Sequence, residues 1–364
     1  YDLKYDAVFD ADFIEALASG VGPYFFFHPK DSILKHQDKL YAIPYKTLSE
    51  RDFKDVFIEE GELYLTSKGI LGIPFIIDPM VMYWNRTIFS NVGVSAPPKY
   101  WSDLYDLAPR LITKDGALNV RQSAIAFGEY SNISHAQDIL SMLIMQAGGK
   151  VAEKKNDVVE SALLNKYNSP IVPANTALSF YTEFTNPLKP FYSWNRSLPS
   201  SKNYFISGDL AMYVGYASEV AEIRSKNPNL NFDVTKMPQS KESGQTITFG
   251  SMQALAIPKA SKKQAAAVQA AMLLVDKGPL TELVNVTGLP PVRRDMLAVR
   301  PSDTYMSVFY DSAVQAHAWL PPDREQTKML FKEMIESVTG GRRTVSESVA
   351  RTDLELAGLY KDAQ

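Results

Sequence analysis

GILGIPFIIDPMVMYW fills positions 69–84, and its reading decides the fold. It is the most apolar stretch of the chain, yet Pro74, Asp78 and Pro79 interrupt it. It falls short of the roughly 18 apolar residues that a membrane-spanning helix needs. Its β-branched and aromatic content instead predicts buried strand. Ile70 to Ile77 and Met80 to Trp84 read as two strand runs, parted by Asp78-Pro79.

Working outward, short strands alternate with helices. Upstream, residues 6–18 carry a helical apolar spacing with acids in the first turns. Gly20 and Gly22-Pro23 end that helix, and Tyr24 to Phe27 reads as a short strand before the polar His28-Pro29-Lys30-Asp31. Downstream, helices are expected near Ser102 to Ile112, Asn132 to Ala147, Thr176 to Thr185 and Lys262 to Asp276. Strands are expected at Leu210 to Val214, Phe232 to Met237 and Ala254 to Ile257. This alternation argues an α/β fold.

A chain of 364 residues exceeds one ordinary core, so two domains are expected. No Pro/Gly/Ser-rich linker divides it, which predicts domains whose segments interleave. Lys and Arg number 38 against 41 Asp and Glu, so no basic excess marks a nucleic-acid binder. With no Cys, disulfides, Cys-bound zinc, iron–sulfur clusters and thiol nucleophiles are excluded. No metal and no cofactor is expected. The 41 aromatics (19 Tyr, 18 Phe, 4 Trp) are an ample supply of stacking surface.

No motif of catalysis stands out. The four His, at 28, 36, 135 and 317, form no H-E-x-x-H pair. No G-x-S-x-G elbow, phosphate loop or G-x-G-x-x-G turn is present. Two carboxylates meeting in a cleft could serve a glycoside hydrolase, which stays as an alternative.

Several phrases together resemble the extracellular solute-binding proteins of ABC importers, in the sugar-binding, maltose-binding-like group. Ala16-Leu17-Ala18-Ser19-Gly20-Val21-Gly22-Pro23 is similar to that family's "ALASGxGPD", with Tyr24 where the acid usually stands. Gly72-Ile73-Pro74-Phe75 through Tyr83-Trp84-Asn85-Arg86-Thr87-Ile88-Phe89 resembles "GiPfxxxxxxlyYNkdlF". Ala96-Pro97-Pro98-Lys99-Tyr100-Trp101 resembles "aPPkTWdE". The sharpest is Tyr204-Phe205-Ile206-Ser207-Gly208-Asp209-Leu210-Ala211-Met212-Tyr213-Val214-Gly215, similar to "aFxxGkaAMxxxG". Gly288 to Arg293 and Gly340 to Val345 complete the series.

The resemblance implies a two-lobe periplasmic-binding-protein-like α/β fold with discontinuous domains, three hinge crossings and an interlobe cleft. The crossings would fall at Asp78-Pro79, Thr248-Phe249-Gly250 and Pro290 to Arg293. The N-terminal lobe would then be residues 1–78 plus 250–291, and the C-terminal lobe 79–249 plus 292–364. The family's first strand and helix, about 30 residues, would precede Tyr1 behind a signal peptide. The implied task is to capture a small solute, a carbohydrate first of all, by hinge closure and deliver it to the permease subunits of an ABC transporter. No enzymatic step is expected. A peptide or a polyamine is an alternative solute. The implied place is extracytoplasmic, the periplasm or cell surface. A monomer is expected, with any membrane attachment only through a lipid anchor ahead of Tyr1.

The resemblance also points to contacts. His28, Lys30 and Asp31 follow a strand where the family places aromatic and charged sugar contacts; a surface turn would explain them equally. Asp78 matches an acidic cleft residue of the maltose binders, though a turn before Pro79 would also want it. Glu129, Tyr130 and Asn132 precede a long helix and could reach hydroxyls, or Asn132 could simply cap that helix. Tyr216 stands at the family's stacking position, and Trp194 and Trp319 are further stacking candidates. The bland reading of a Trp is core packing.

Overall fold

The computed structural model describes residues 6–20, 22–167, 169–241 and 244–363, with the side chains of residues 6–10 left out. Tyr1 and Val21, touched on above, lie outside the described residues. Twelve strands are present among them: β1 (Phe26–Pro29), β2 (Leu65–Thr66), β3 (Gly69–Ile70), β4 (Ile73–Asn85), β5 (Thr113–Lys114) and β6 (Val120–Ile125). They continue with β7 (Ala152–Lys155), β8 (Val158–Ser161), β9 (Leu210–Tyr216), β10 (Phe232–Thr235), β11 (Thr248–Ala256) and β12 (Ala316–His317). The main sheet runs β1-β11-β4-β9-β6-β5, with β10 beside β4 and β12 beside β11.

The stretch read as two strands is one. β4 is continuous from Ile73 to Asn85 through Pro79. Its first half pairs antiparallel with β11, from Ile73 opposite Leu255 to Pro79 opposite Gly250. From Met80 onward it pairs with β9, and from Met82 also with β10. Pro79 cannot donate to a ladder, and it stands where the partner strands exchange. Its carbonyl still accepts from the Ala217 amide at 3.0 Å.

Two bodies of packing grow from the two halves. Around the first half, β1 lies on β11, and the helix Gln264–Leu274 packs on β4. Phe53 and Phe57 meet here at 5.0 Å, both buried. Around the second half, Tyr83, Phe205, Tyr213 and Phe232 form one buried aromatic group with ring centroids 5.7–6.2 Å apart. Such pairs add about 0.5–1.5 kcal/mol each beyond their area. The helices Ala136–Gln146, Pro173–Glu183, Arg324–Thr339 and Val345–Ala363 pack together in this second body. Much of the aromatic supply is therefore core.

The bodies also touch away from the strand crossing. Asp157, in the β7–β8 turn, accepts from the Ser67 amide at 2.8 and 3.0 Å, and Lys154 donates to the Leu65 carbonyl at 2.5 Å. On another rim Lys35 lies 3.7 Å from Asp323.

Candidate functional site

The strand crossing gathers charged groups from both bodies. From the first come Lys30 and Asp31, in the tight turn Lys30–Ser32 directly after β1. Lys30 is buried, 5% exposed, with its ammonium 2.8 Å from Asp31 Oδ1 and 4.7 Å over the Phe249 ring. Burial pulls this ammonium down, but Asp31, Asp138 and Glu60 outweigh it and hold it above its ordinary value. Burial pushes the Asp31 carboxyl up, and Lys30 overcomes that and holds it low.

From the second body come Tyr216, at the end of β9, and the start of the helix Ala136–Gln146. Tyr216 donates its hydroxyl to Asp138 Oδ2 at 2.8 Å. His135, just ahead of that helix, has a left-handed backbone (φ 61°). That turn lays its ring edge-on to Tyr216 at 4.7 Å and brings Nε2 to 3.0 Å from Glu219 Oε1. Glu219 also accepts from the Tyr213 hydroxyl at 2.8 Å and from Lys202 at 3.2 Å. Burial raises the Glu219 carboxyl, but His135, Tyr213 and Lys202 bring it below its usual range. Burial lowers the imidazole of His135, and Glu219 more than reverses this.

Three more carboxyls are less well served. Asp78, on β4, accepts from the Ser218 amide at 3.0 Å; burial pushes it up to about 6 against that bond. Burial also raises Asp138, against the pull of Lys30 and His135. Glu60 is 3% exposed, and neither carboxylate oxygen has a hydrogen-bond partner of good geometry. Burial pushes it up to about 8, against Lys30 and the nearby Met252 amide. Its carboxylate rests on the backbone of Gly250, where a Cβ would lie 1.7 Å from Oε2. β1 and β12 pair with the same edge of β11 before and after this spot, so Gly250 to Met252 have a strand neighbour only on the β4 side.

Of the ten residues picked out in the sequence, Lys30, Asp31, Asp78 and Tyr216 come together here. Tyr130 is close enough that Asp138 helps burial raise its hydroxyl to about 12. Trp319 is buried behind the same helix, donating to Ser141 Oγ at 3.1 Å and stacked on Phe331. The rest are held elsewhere. His28 is fully buried, with Nδ1 2.8 Å from the Pro29 carbonyl and Nε2 3.2 Å from His36. Asn132 accepts from the Trp194 indole at 3.1 Å and donates to the carbonyls of Asn195 and Leu198. Trp194 is itself fully buried. Glu129 is fastened to Arg196 at 2.7 Å. The cluster adds Glu60, His135, Asp138 and Glu219, which sequence reading did not pick. A first-turn acid such as Asp138 carries no local sign that its helix starts where the two bodies meet.

A separate groove of about 640 Å³ lies within the second body, lined among others by Trp101, Tyr105, Ile171 and Phe180. It shares no residue with the charged cluster.

The sequence pattern of the family described as "Bacterial extracellular solute-binding protein" matches residues 10–276. The chain belongs to that family. The solute-binding protein is thus extracytoplasmic by family, and among the described residues no helix is long and apolar enough to cross a membrane. No curated protein matches it in sequence. Solved structures share its fold. A cyclic α-maltosyl-1,6-maltose binding protein from Arthrobacter globiformis has a TM-score of 0.78 at 15% identity, covering 98% of this chain and 89% of its own. An ABC transporter solute-binding protein from Thermotoga lettingae, bound with α-D-tagatose, has 0.70 at 20%, covering 97% and 89%. UgpB from Mycobacterium tuberculosis, in complex with glycerophosphocholine, has 0.73 at 15%, covering 97% and 87%. The fold is accordingly the two-lobe α/β fold of periplasmic binding proteins. The two packing bodies are its lobes, and the charged cluster lies at their junction.

Proposed function

We propose that this solute-binding protein captures a small carbohydrate between its lobes by hinge closure and delivers it to an ABC-type permease, without catalysing a reaction. One observation carries the reading: polar groups of both lobes converge at the strand crossing, with Lys30 and Asp31 facing Asp138, Tyr216 and Asp78. A pyranose offers C–H faces to rings and hydroxyl edges to carboxylates and ammonium groups, and this set supplies both. Solved relatives of the fold, titled as binding tagatose or cyclic maltosyl-maltose, support the class of solute.

Within this reading Lys30, Asp31, Asp78 and Tyr216 touch the solute, joined by Asp138 and His135. Asn132, Trp194 and Glu129 shape the second lobe around it. The first lobe takes residues up to Asp78, then about 250–297. Support for that end comes from Ile58, whose amide donates to the Val292 carbonyl, and from Arg294, which donates to the carbonyls of Lys54 and Phe57. The next helix, Thr304–Val314, packs on β4 and β10 of the second lobe.

The test is a panel of mono- and oligosaccharides followed by thermal unfolding and small-angle scattering. A bound sugar raises the melting temperature by mass action and shrinks the radius of gyration. No shift with any sugar overturns the carbohydrate reading. Turnover of a chromogenic glycoside, abolished by Asp78→Asn, overturns the non-catalytic one.

A further inference from the structure

At the lobe junction three carboxyls have no salt bridge among the described residues. Five carboxyls gather there: Asp31, Glu60, Asp78, Asp138 and Glu219. Lys30 is taken by Asp31 at 2.8 Å. His135 and Lys202 are taken by Glu219 at 3.0 and 3.2 Å. Asp78 has an amide partner and Asp138 a phenol, neither of them a cation. Glu60, 3% exposed, has no partner of good geometry for either oxygen.

A buried carboxylate without a partner costs several kcal/mol. Glu60 is such a group, and Asp78 and Asp138 at the same junction have only neutral hydrogen-bond partners, an unusual arrangement for a chain to carry for stability alone. Local packing does not relieve it, since Glu60 presses on the bare edge of β11 at Gly250 with only the Met252 amide nearby. A missing cation from outside would relieve it. An ammonium group offers three donors and one positive charge, whereas a hydroxyl offers one donor and none. Hydrogen bonds between ionised partners are about twice as strong as neutral ones.

We propose that the solute carries a protonated amino group, as an amino sugar does, and that this ammonium seats on the acidic floor made by Glu60, Asp78 and Asp138 beside Tyr216. The idea rests on the carbohydrate reading for the rest of the solute, but the cationic group stands on the orphaned Glu60 carboxyl and the neutral partners of Asp78 and Asp138. Lys30 does not repel the ammonium strongly, because Asp31 neutralises it within the same turn.

Calorimetry on the intact protein tests it. The probes are glucosamine, galactosamine and mannosamine with their neutral parents, the corresponding disaccharides, and putrescine and spermidine. The amino sugars are expected to bind at least about tenfold more tightly than their neutral parents, a factor that corresponds to one charged contact. Neutral sugars binding as well as the amino sugars overturn the proposal and leave the carbohydrate reading standing. Binding by the non-sugar amines alone supports the cationic group and overturns the carbohydrate reading. No binding by any amine overturns the proposal. Glu60→Gln and Asp138→Asn are each expected to bring the amine preference close to unity while the unliganded protein still unfolds cooperatively. If both variants keep the full preference, the acidic floor is not the ammonium's seat and the proposal falls.

Discussion

Two buried polar clusters of the second lobe and the lobe junction differ in how they are satisfied. Around Trp194 the polar groups of Ser123, Asn132 and Ser193 are closed within the chain. Ser193 Oγ accepts from the amides of Ala124 and Ile125 at 3.0 Å each, and Ser123 Oγ donates to the Ser193 carbonyl at 2.7 Å. Asn132 holds the Trp194 indole and two loop carbonyls. At the junction, neither Glu60 oxygen has a partner of good geometry, and Asp78 and Asp138 are bonded only to an amide and a phenol. Both clusters hold residues that look like sugar contacts in the sequence. A buried polar group satisfied by its own chain fastens the fold, whereas one left wanting marks where something else is to bind.

The largest effect that would sharpen this contrast belongs to the closed cluster. Trp194→Ala removes a fully buried indole and leaves Asn132 without its donor. A loss of about 3–5 kcal/mol is expected in chemical denaturation, with solute affinity unchanged in the fraction that stays folded. A variant as stable as the parent, or one that binds much more weakly, would merge the two clusters and break the distinction.

Gly250→Ala comes next, at the open cluster. The new methyl would meet Glu60 Oε2 at 1.7 Å and Ala316 Cβ at 2.9 Å. Overpacking of this kind costs about 1–3 kcal/mol. The same change in a Glu60→Ala background is expected to cost clearly less, since the closest clash is gone. A double-mutant cycle with no coupling would show that Glu60 does not rest on the strand crossing.

The smallest effect is one of pH. Burial raises Glu60 from an ordinary 4.5 to about 8 and Asp78 from 3.8 to about 6. Between these limits the folded state keeps protons that the unfolded state has released, so stability falls as pH rises. For Glu60 the contribution is full below pH 4.5 and gone above about 8; for Asp78 the window is 3.8 to about 6. Glu60→Gln is expected to flatten the decline in melting temperature between pH 6 and 8. An unchanged slope would mean that Glu60 is already ionised and partnered in the free protein.

Much of the fold was legible in residues 69–84. Their apolar character announced a buried strand, and the family resemblance pointed to Asp78-Pro79, where the partner strands of β4 exchange. What stayed hidden was that the strand continues through Pro79, which depends on β9 taking over from β11. The candidate site was half legible. Lys30, Asp31, Asp78 and Tyr216 sit next to strand ends, where position in the chain predicts position in the cleft. Trp194 and Asn132 carried the same polar and aromatic signal, but neighbours some 60 residues away in the chain consume their hydrogen bonds.

By itself, the order of residues determined an α/β chain of interleaved segments and a family. These are written in local periodicity and in motifs of a few neighbouring residues. Only the tertiary structure decided which buried polar groups are satisfied, because satisfaction depends on partners brought from distant segments. Glu60 has the look of any surface acid in EEGEL. It becomes a candidate seat for a cation only when Gly250, nearly two hundred residues on, is folded against it and water is shut out.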